Sequence, residues 1–270
     1  MVDIRQTIQY ANYLSKIGWE VERASEINYF IKKLPLVGSI IKVQRPEKIR
    51  INKIKELAKK YRGFQIIIEP KTELDAKFLT SLGFKLSKSP YLPTKTLQLD
   101  LTKIEKVLLK NLKKDAKGAI NKNKQLETAN ERDLEKFRYY WKKAVGWKRY
   151  VPPTKHLLAL RKFFKKNSLF LISEDYSAGA VFLMSDGIAY YWQAFTSKDG
   201  RKSLAQYKIV WEGILWAKKK GVKVFDFEGI YDERFPNKSW LGFTHFKKSF
   251  GGYEVTYPGA FVNKTYLPIL

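Results

Sequence analysis

Between residues 169 and 227 the chain runs through apolar segments whose lengths and punctuation leave few folds open. Residues 169–173 are a short apolar run. Residues 178–184 and 188–195 are two more, joined by Ser185-Asp186-Gly187, a link short enough to turn one strand back on the other. Residues 204–220 then carry Leu204, Tyr207, Trp211, Ile214, Leu215 and Lys218 at helical spacing, and Gly221 stops the pattern. A last apolar run, 222–227, returns to strand character. Strand, hairpin, long helix and strand in that order predict a mixed α/β unit with the helix against the sheet.

The preceding residues read as a separate mixed unit. Residues 4–17 form a helical pattern closing at Gly18, and 49–61 an amphipathic helix ending at Gly63. Residues 64–70, bounded by that glycine and Pro70, read as a buried strand, and 74–82 as a short helix stopped by Gly83. Residues 87–94, with two prolines, are the expected linker. Beyond it, 96–101 alternate as a half-buried strand does. One helix is expected next, with Ile104, Val107, Leu108 and Leu112 on a single stripe. Lys103, Lys106, Lys110, Lys113, Lys114 and Lys117 recur mostly three or four residues apart and make much of its opposite face cationic. Residues 134–145 and 156–164 are two further helices flanking the 146–153 loop.

Charge narrows the partners but not the fold. Lys and Arg total 52 against 26 Asp and Glu, leaving +26 on 270 residues, and such a field concentrates polyanions near the surface. RNA, nucleotide-linked sugars and an anionic membrane face are the expected partners. Cysteine is absent, which excludes disulfides, thiolate catalysis and Cys-based zinc sites. With only His156 and His245, neither a His-rich metal centre nor a Ser-His-Asp triad is expected. Residues 1–16 lack the apolar core of a signal peptide and no run approaches 18 apolar residues, so a cytoplasmic location is expected.

Two late segments carry the candidate chemistry. Phe225-Asp226-Phe227-Glu228-Gly229-Ile230 reads as a buried strand running out into a carboxylate and a glycine. Gly242-Phe243-Thr244-His245-Phe246-Lys247-Lys248-Ser249-Phe250-Gly251-Gly252 reads as a turn with two lysines among aromatic residues, closed by paired glycines. Asp226 and Glu228, two apart, are expected on one strand face, where carboxylates can receive an amine proton or bind an ammonium. Asp226 equally suits the satisfaction of nearby backbone groups. Lys247, fixed by Phe246 and Phe250, is expected to face an open channel and present a cation to a developing oxyanion.

Together these segments resemble the closing signature of the Fem aminoacyltransferase family (FemABX), D-x-x-G-I followed by G-[LF]-x-x-F-K-x-x-F-G. The resemblance implies an α/β fold with mixed sheets in two tandem GNAT-like domains. These would be residues 1–92, completed by 255–270, and residues 93–254 with the catalytic motif. It also implies aminoacyl-tRNA-dependent transfer of an amino acid onto the stem-peptide amine of a UDP-linked or lipid-linked muropeptide. Aminoacyl-tRNA is then the co-substrate, with no cofactor, no metal and no DNA.

By the same resemblance Lys247 is the catalytic lysine and Asp226 stands at the family's aspartate, whereas Glu228 departs from a position where the family commonly has a small residue. Lys247 and Asp226 are expected to be catalytic, and Phe246, Tyr207 and Glu228 to bind substrate. Val43-Gln44-Arg45-Pro46 stands where the family shows P-[RK]-G-P, which puts Arg45 on a diphosphate. Trp147-Lys148-Arg149-Tyr150 resembles the family's diphosphate-gripping loop. Arg149 is favoured there over Lys148, because a guanidinium binds phosphate through two parallel hydrogen bonds. Phe64 and Glu69 match a [YF]-x-x-x-x-[DE]-P pattern. Lys110, Lys113, Lys114 and Lys117 either track tRNA phosphates or form a solvated face. Arg201-Lys202-Ser203-Leu204-Ala205 lacks the glycine with which acyl-CoA enzymes of the GNAT fold admit a pyrophosphate. Two other readings stay open: a GNAT-fold N-acyltransferase using acyl-CoA, and a non-catalytic basic protein that binds RNA or a membrane surface.

Overall fold

The computed structural model describes residues 1–121, 126–129, 133–147 and 149–264. They fall into two compact units. One holds residues 1–95, 232–236 and those from 256 onward; the other holds 96–231 and 237–255. The segment Asp232–Pro236, expected in the second unit, packs with the first.

In the first unit, helix α1 (Ile8–Lys16) begins at Thr7, whose hydroxyl oxygen accepts from the Tyr10 N–H. That cap divides the helix expected over residues 4–17, because Thr7 is extended and Ile4–Gln6 form only one tight turn. Strands β1 (Glu20–Ala24), β2 (Ile27–Leu34) and β3 (Gly38–Gln44) make an antiparallel meander. Helix α2 (Ile51–Lys60) leads to β4 (Gly63–Glu69), parallel to β3, and α3 (Glu73–Ser81) leads to the short β5 (Lys85–Leu86). The sheet order is β1-β2-β3-β4-β13-β5, in which β13 (Phe261–Lys264) arrives from late in the chain and pairs antiparallel with β4 and β5. Ile31, Ile41, Val43, Ile54, Leu57, Ile66, Ile68 and Leu79 build the core. The meander was not expected from the sequence. Its central strand buries Ile27, Asn28, Tyr29, Phe30 and Ile31 in succession, so no alternation marks it.

The second unit opens with β6 (Lys95–Asp100). Two helices follow where one was expected: α4 (Glu105–Asn111) and α5 (Lys114–Asn121), with Leu112 extended between them at φ −65°, ψ 141°. Leu108 and Leu112 are buried while Ile104 and Val107 are exposed, so the expected stripe does not persist. Then come β7 (Leu126–Thr128), α6 (Leu134–Val145), α7 (Thr154–Phe164), β8 (Ser168–Ser173), β9 (Ala178–Ser185) and β10 (Ile188–Thr196). The unit closes with α8 (Lys198–Lys202), α9 (Ala205–Lys219), β11 (Val224–Asp226), α10 (Leu241–Lys248) and β12 (Tyr253–Thr256). The sheet order is β12-β6-β11-β10-β9-β8-β7.

The predicted hairpin is β9 and β10, turned through Asp186 and Gly187 at φ 48° and 77°. Two left-handed residues give a turn whose twist matches the strands it joins. Helix α9 buries Ile209, Val210, Ile214 and Ala217 completely. It approaches the sheet so closely that a Cβ on Gly213 would stand 2.3 Å from the Phe182 ring. Strand β11 pairs parallel with β10 and antiparallel with β6, which sets its C-terminal residue, Asp226, beside Tyr190 and Gln98.

Candidate active site

Asp226 is buried at the end of β11, and its carboxylate is fully engaged. Its Oδ1 accepts from the Thr96 hydroxyl (2.5 Å) and the Glu228 N–H (2.7 Å), and its Oδ2 accepts from the Gln98 amide (2.8 Å). Burial, followed by the Glu228 charge, raises the Asp226 carboxyl above its usual range, and the three donors oppose that rise. Beyond Asp226 the backbone swings through Glu228 (φ 60°) and Gly229 (φ 136°). Glu228 is therefore past the strand and left-handed, so the expected shared face of Asp226 and Glu228 is not formed. Glu228 is half-buried, and Asp226 is 2% exposed.

Lys247 lies in the last turn of α10, not on the turn expected from its neighbouring glycines. Phe246 packs edge-on against Tyr207 at 4.7 Å, and Phe250 stacks on Tyr207 at 5.7 Å and meets Phe227 at 5.6 Å. This aromatic cluster, with Phe246 and Tyr207 at its centre, pins α10 to α9. The pinned helix aims Lys247 inward. Its Nζ donates to the carbonyl oxygens of Phe227 (2.7 Å) and Gly229 (2.5 Å), closing the 227–229 turn. The residue is only 8% exposed, so the ammonium is embedded. Burial lowers its pKa to about 8; Glu228 and Asp226 resist the drop and Arg149 adds to it.

Sequence reasoning missed the next neighbour. Tyr191, on β10, presents its ring 5.8 Å from the Lys247 Nζ, and Phe243, one helical turn back on α10, lies at 5.0 Å. The Tyr191 hydroxyl accepts from the Gln206 amide (2.8 Å), whose carbonyl oxygen accepts from Thr196 (2.8 Å). Burial pushes the Tyr191 phenol far above its ordinary value, which keeps it protonated and able to donate. The pairing register slips between Tyr191 and Gln193. No simple alternation count could therefore have assigned the facing of Tyr191. Arg149 is exposed and acts electrostatically on both Lys247 and Tyr191, so the structure gathers it with them. Lys148 lies outside the described residues.

The remaining candidates stand elsewhere. Arg45, in the first unit, is buried at φ 46°, pairs with Asp3 at 3.2 Å, donates to the Pro93 carbonyl at 2.7 Å and stacks on the Tyr257 ring at 3.7 Å. A guanidinium so enclosed is a strut and not the diphosphate contact expected. Glu69 is likewise internal, accepting from the Gln44 amide (2.7 Å) and the Leu92 N–H (2.6 Å), and burial raises its pKa. It ties the 87–94 segment to β4. Lys110, Lys113, Lys114 and Lys117 are exposed, but the break at Leu112 leaves Lys110 on α4, Lys114 and Lys117 on α5 and Lys113 between the helices, and Lys117 donates back to the Lys110 carbonyl at 2.9 Å.

A mixed sheet with a hairpin, a crossing helix and a parallel return strand defines a protein of GNAT-like α/β fold, here in two units. Residues 172–266 match the model of the FemAB family. The structure is similar to that of FemX, with a TM-score of 0.80 at 16% identity, covering 97% of this chain and 92% of that one. It is also similar to L-PGS from Bacillus licheniformis (TM-score 0.63, 14% identity, 93% and 85% covered). A tandem GNAT protein from the clavulanic acid biosynthesis pathway shares the fold as well (TM-score 0.59, 11% identity, 92% and 83% covered). No curated protein matches it in sequence. The family segment spans the buried Asp226–Lys247 cluster. Among the described residues, no helix is long and apolar enough to cross a membrane.

Proposed function

We propose that the protein is an aminoacyltransferase that moves an amino acid from tRNA onto the stem-peptide amine of a UDP-linked or lipid-linked peptidoglycan precursor. The observation that carries this reading is the embedded ammonium of Lys247, held beside the half-buried Glu228. An ammonium has three N–H donors. Two are taken by the carbonyls of Phe227 and Gly229, and the third is left for the ester carbonyl oxygen as negative charge develops on it. The acceptor nitrogen attacks the ester carbon, and the bond to the tRNA ribose oxygen breaks. Glu228 receives the proton that the amine releases and returns it to the departing ribose oxygen. Asp226 is a positioning residue in this scheme, since its Oδ1 fixes the Glu228 N–H. The exposed Arg149 suits a diphosphate of the acceptor. No cofactor is called for besides the aminoacyl-tRNA.

The FemAB family match supports the transfer chemistry, and the charge of +26 suits a polyanionic donor. The test is to incubate the protein with a mixture of charged tRNAs and the muropeptide nucleotide or its lipid-linked form. Glu228→Gln is expected to lower transfer by about 10²–10⁴-fold while charged tRNA binds as before. Absence of transfer by the unaltered protein with every donor and both acceptors defeats the proposal. Consumption of acyl-CoA in its place moves the protein to the acyl-CoA enzymes.

A further inference from the structure

The tip of the β2–β3 hairpin, in the first unit, is apolar for no reason internal to the fold. Leu36 is fully exposed, Val37 is 61% exposed, and Pro35 beside them is exposed as well. Leu36 also sits at φ 66°, a left-handed conformation that glycine or asparagine adopts at far lower cost than leucine. Both conformation and solvent therefore disfavour the side chain that is present.

The tip is nevertheless held firmly. The Val37 N–H donates to the Leu34 carbonyl at 3.3 Å, and the Ser39 N–H donates to the Arg62 carbonyl at 3.0 Å. The Ser39 hydroxyl donates to the Tyr61 carbonyl at 2.8 Å. Gly38, at φ 115°, lets the strand pass so close that a Cβ there would stand 2.3 Å from the Arg62 oxygen. At the foot of the tip an open cleft of about 540 Å³ is lined by Lys33, Lys60, Arg62, Tyr61, Leu36 and Glu20, among others. The ammonium groups of Lys33 and Lys60 lie 5.3 Å and 5.0 Å from the centre of the Tyr61 ring. Each is paired with one carboxylate, Glu20 at 2.5 Å and Glu22 at 2.6 Å.

We infer that this hairpin tip and its basic cleft dock on an anionic phospholipid bilayer. Leu36 and Val37 enter the boundary between headgroups and acyl chains, while Lys33, Lys60 and Arg62 face lipid phosphates. Three cations, Lys33, Lys60 and Arg62, stand against the two carboxylates that pair with the lysines, Glu20 and Glu22, and the excess positive charge gives the charge complementarity. The apolar tip selects a bilayer over the other polyanions. A free phosphate leaves Leu36 and Val37 with nothing to bury them. A single-stranded nucleic acid stacks on aromatic rings and gains little from aliphatic side chains. This inference is independent of the transfer chemistry and is tested without turnover.

Full-length protein is sedimented with vesicles of phosphatidylcholine alone and of phosphatidylcholine mixed with phosphatidylglycerol. Wild type is expected to partition onto the mixed vesicles and far less onto the neutral ones. The double variant Leu36→Asn, Val37→Ser keeps the charge and suits the left-handed position, so it folds. It is expected to partition at least about tenfold more weakly, from the apolar area it no longer buries. Arg62→Glu is expected to weaken partition onto the mixed vesicles only. Replacing Lys110, Lys113, Lys114 and Lys117 together by Gln serves as the control for general basic charge. Undiminished partition of the double variant overturns the inference. So does equal binding to both vesicle types, or a loss in the lysine control as large as the loss at the tip.

Discussion

Lys247 titrates in the folded protein at about 8 instead of 10.5, and burial is the first cause. That difference is a folding free energy. Below about pH 8 both folded and unfolded chains hold the proton, and the native state carries a penalty of ~3 kcal/mol at 1.36 kcal/mol per pKa unit. Between about 8 and 10.5 the native state has released the proton and the unfolded chain has not. The unfolded state then binds more protons, so stability rises with pH through this window and levels off above it. Lys247→Met removes the titration. The stability of wild type minus that of the variant is therefore expected to rise by ~3 kcal/mol across the window, measured by urea unfolding at successive pH values. Taking the difference cancels the lysines and tyrosines that both proteins share. At neutral pH the variant escapes the burial penalty but leaves the Phe227 and Gly229 oxygens without their donor, at about 1–3 kcal/mol each. These effects oppose one another, so the slope and not the offset carries the test. A difference that stays flat from pH 8 to 10.5 refutes the buried, depressed lysine. Activity gives a second readout, because the neutral amine is a poor partner for an oxyanion. Lys247→Arg stays charged, so the ratio of wild-type to Lys247→Arg transfer is expected to fall as pH passes 8. A constant ratio removes the ammonium from the reaction.

Two further substitutions probe the frame around the site. Gly213→Ala places a methyl 2.3 Å from the Phe182 ring, between α9 and the sheet; a loss of about 1–3 kcal/mol in urea unfolding is expected from overpacking, and unchanged stability shows that the helix has room to spare. Tyr191→Phe leaves the Gln206 amide facing a buried ring, with an expected cost of about 1–3 kcal/mol; a variant as stable as wild type shows that Gln206 finds another acceptor.

The fold was legible where punctuation or periodicity marked an element. The hairpin at residues 178–195 is marked by Asp186-Gly187 between two apolar runs, although Ala178–Leu183 are buried in succession, and the helix at 205–219 and the strand at 95–100 carry their periodicities in plain letters. Legibility failed where a run buried on both faces lacked such a marker, as in β2, and where a side-chain cap cut a continuous pattern, as at Thr7. It failed again between α4 and α5, because Leu112 continues the helical spacing of the apolar residues while its backbone is extended. At the candidate site, the residue types around Asp226, Glu228 and Lys247 were visible but their directions were not. The left-handed backbone at Glu228 moves that carboxylate off the strand face, and the aromatic anchors decide that Lys247 points inward. Tyr191 had no local signal, since only its partners on α9 and α10 mark it out. Arg45 was misread for the converse reason: a basic residue next to proline looks exposed until Asp3 and Tyr257 close over it.

The start of α9 bears on which donor such a site accepts. An acyl-CoA pyrophosphate bound there needs several backbone N–H groups converging on one open turn, with little side chain in the way. Here the amides of Ser203, Leu204 and Tyr207 donate to the carbonyls of Asp199, Arg201 and Leu204, the short α8 having been folded directly onto the helix start. Leu204 takes the left-handed position at φ 57° and packs against the core, filling space that a glycine would leave open. Just before it, Gly200 is pressed so tightly on the Ser177 carbonyl that a Cβ would lie at 2.4 Å. The turn is thus occupied by its own chain from both sides. Under the proposed function, a donor carried on RNA makes no demand on that turn, because side-chain cations would meet its phosphates and the cluster at Lys247 its ester. On that reading a GNAT-like sheet would serve a different donor with little change in topology. Leu204 and Gly200 fill the turn, while the strand end at Asp226 and the inward lysine of α10 keep the places the proposed transfer requires.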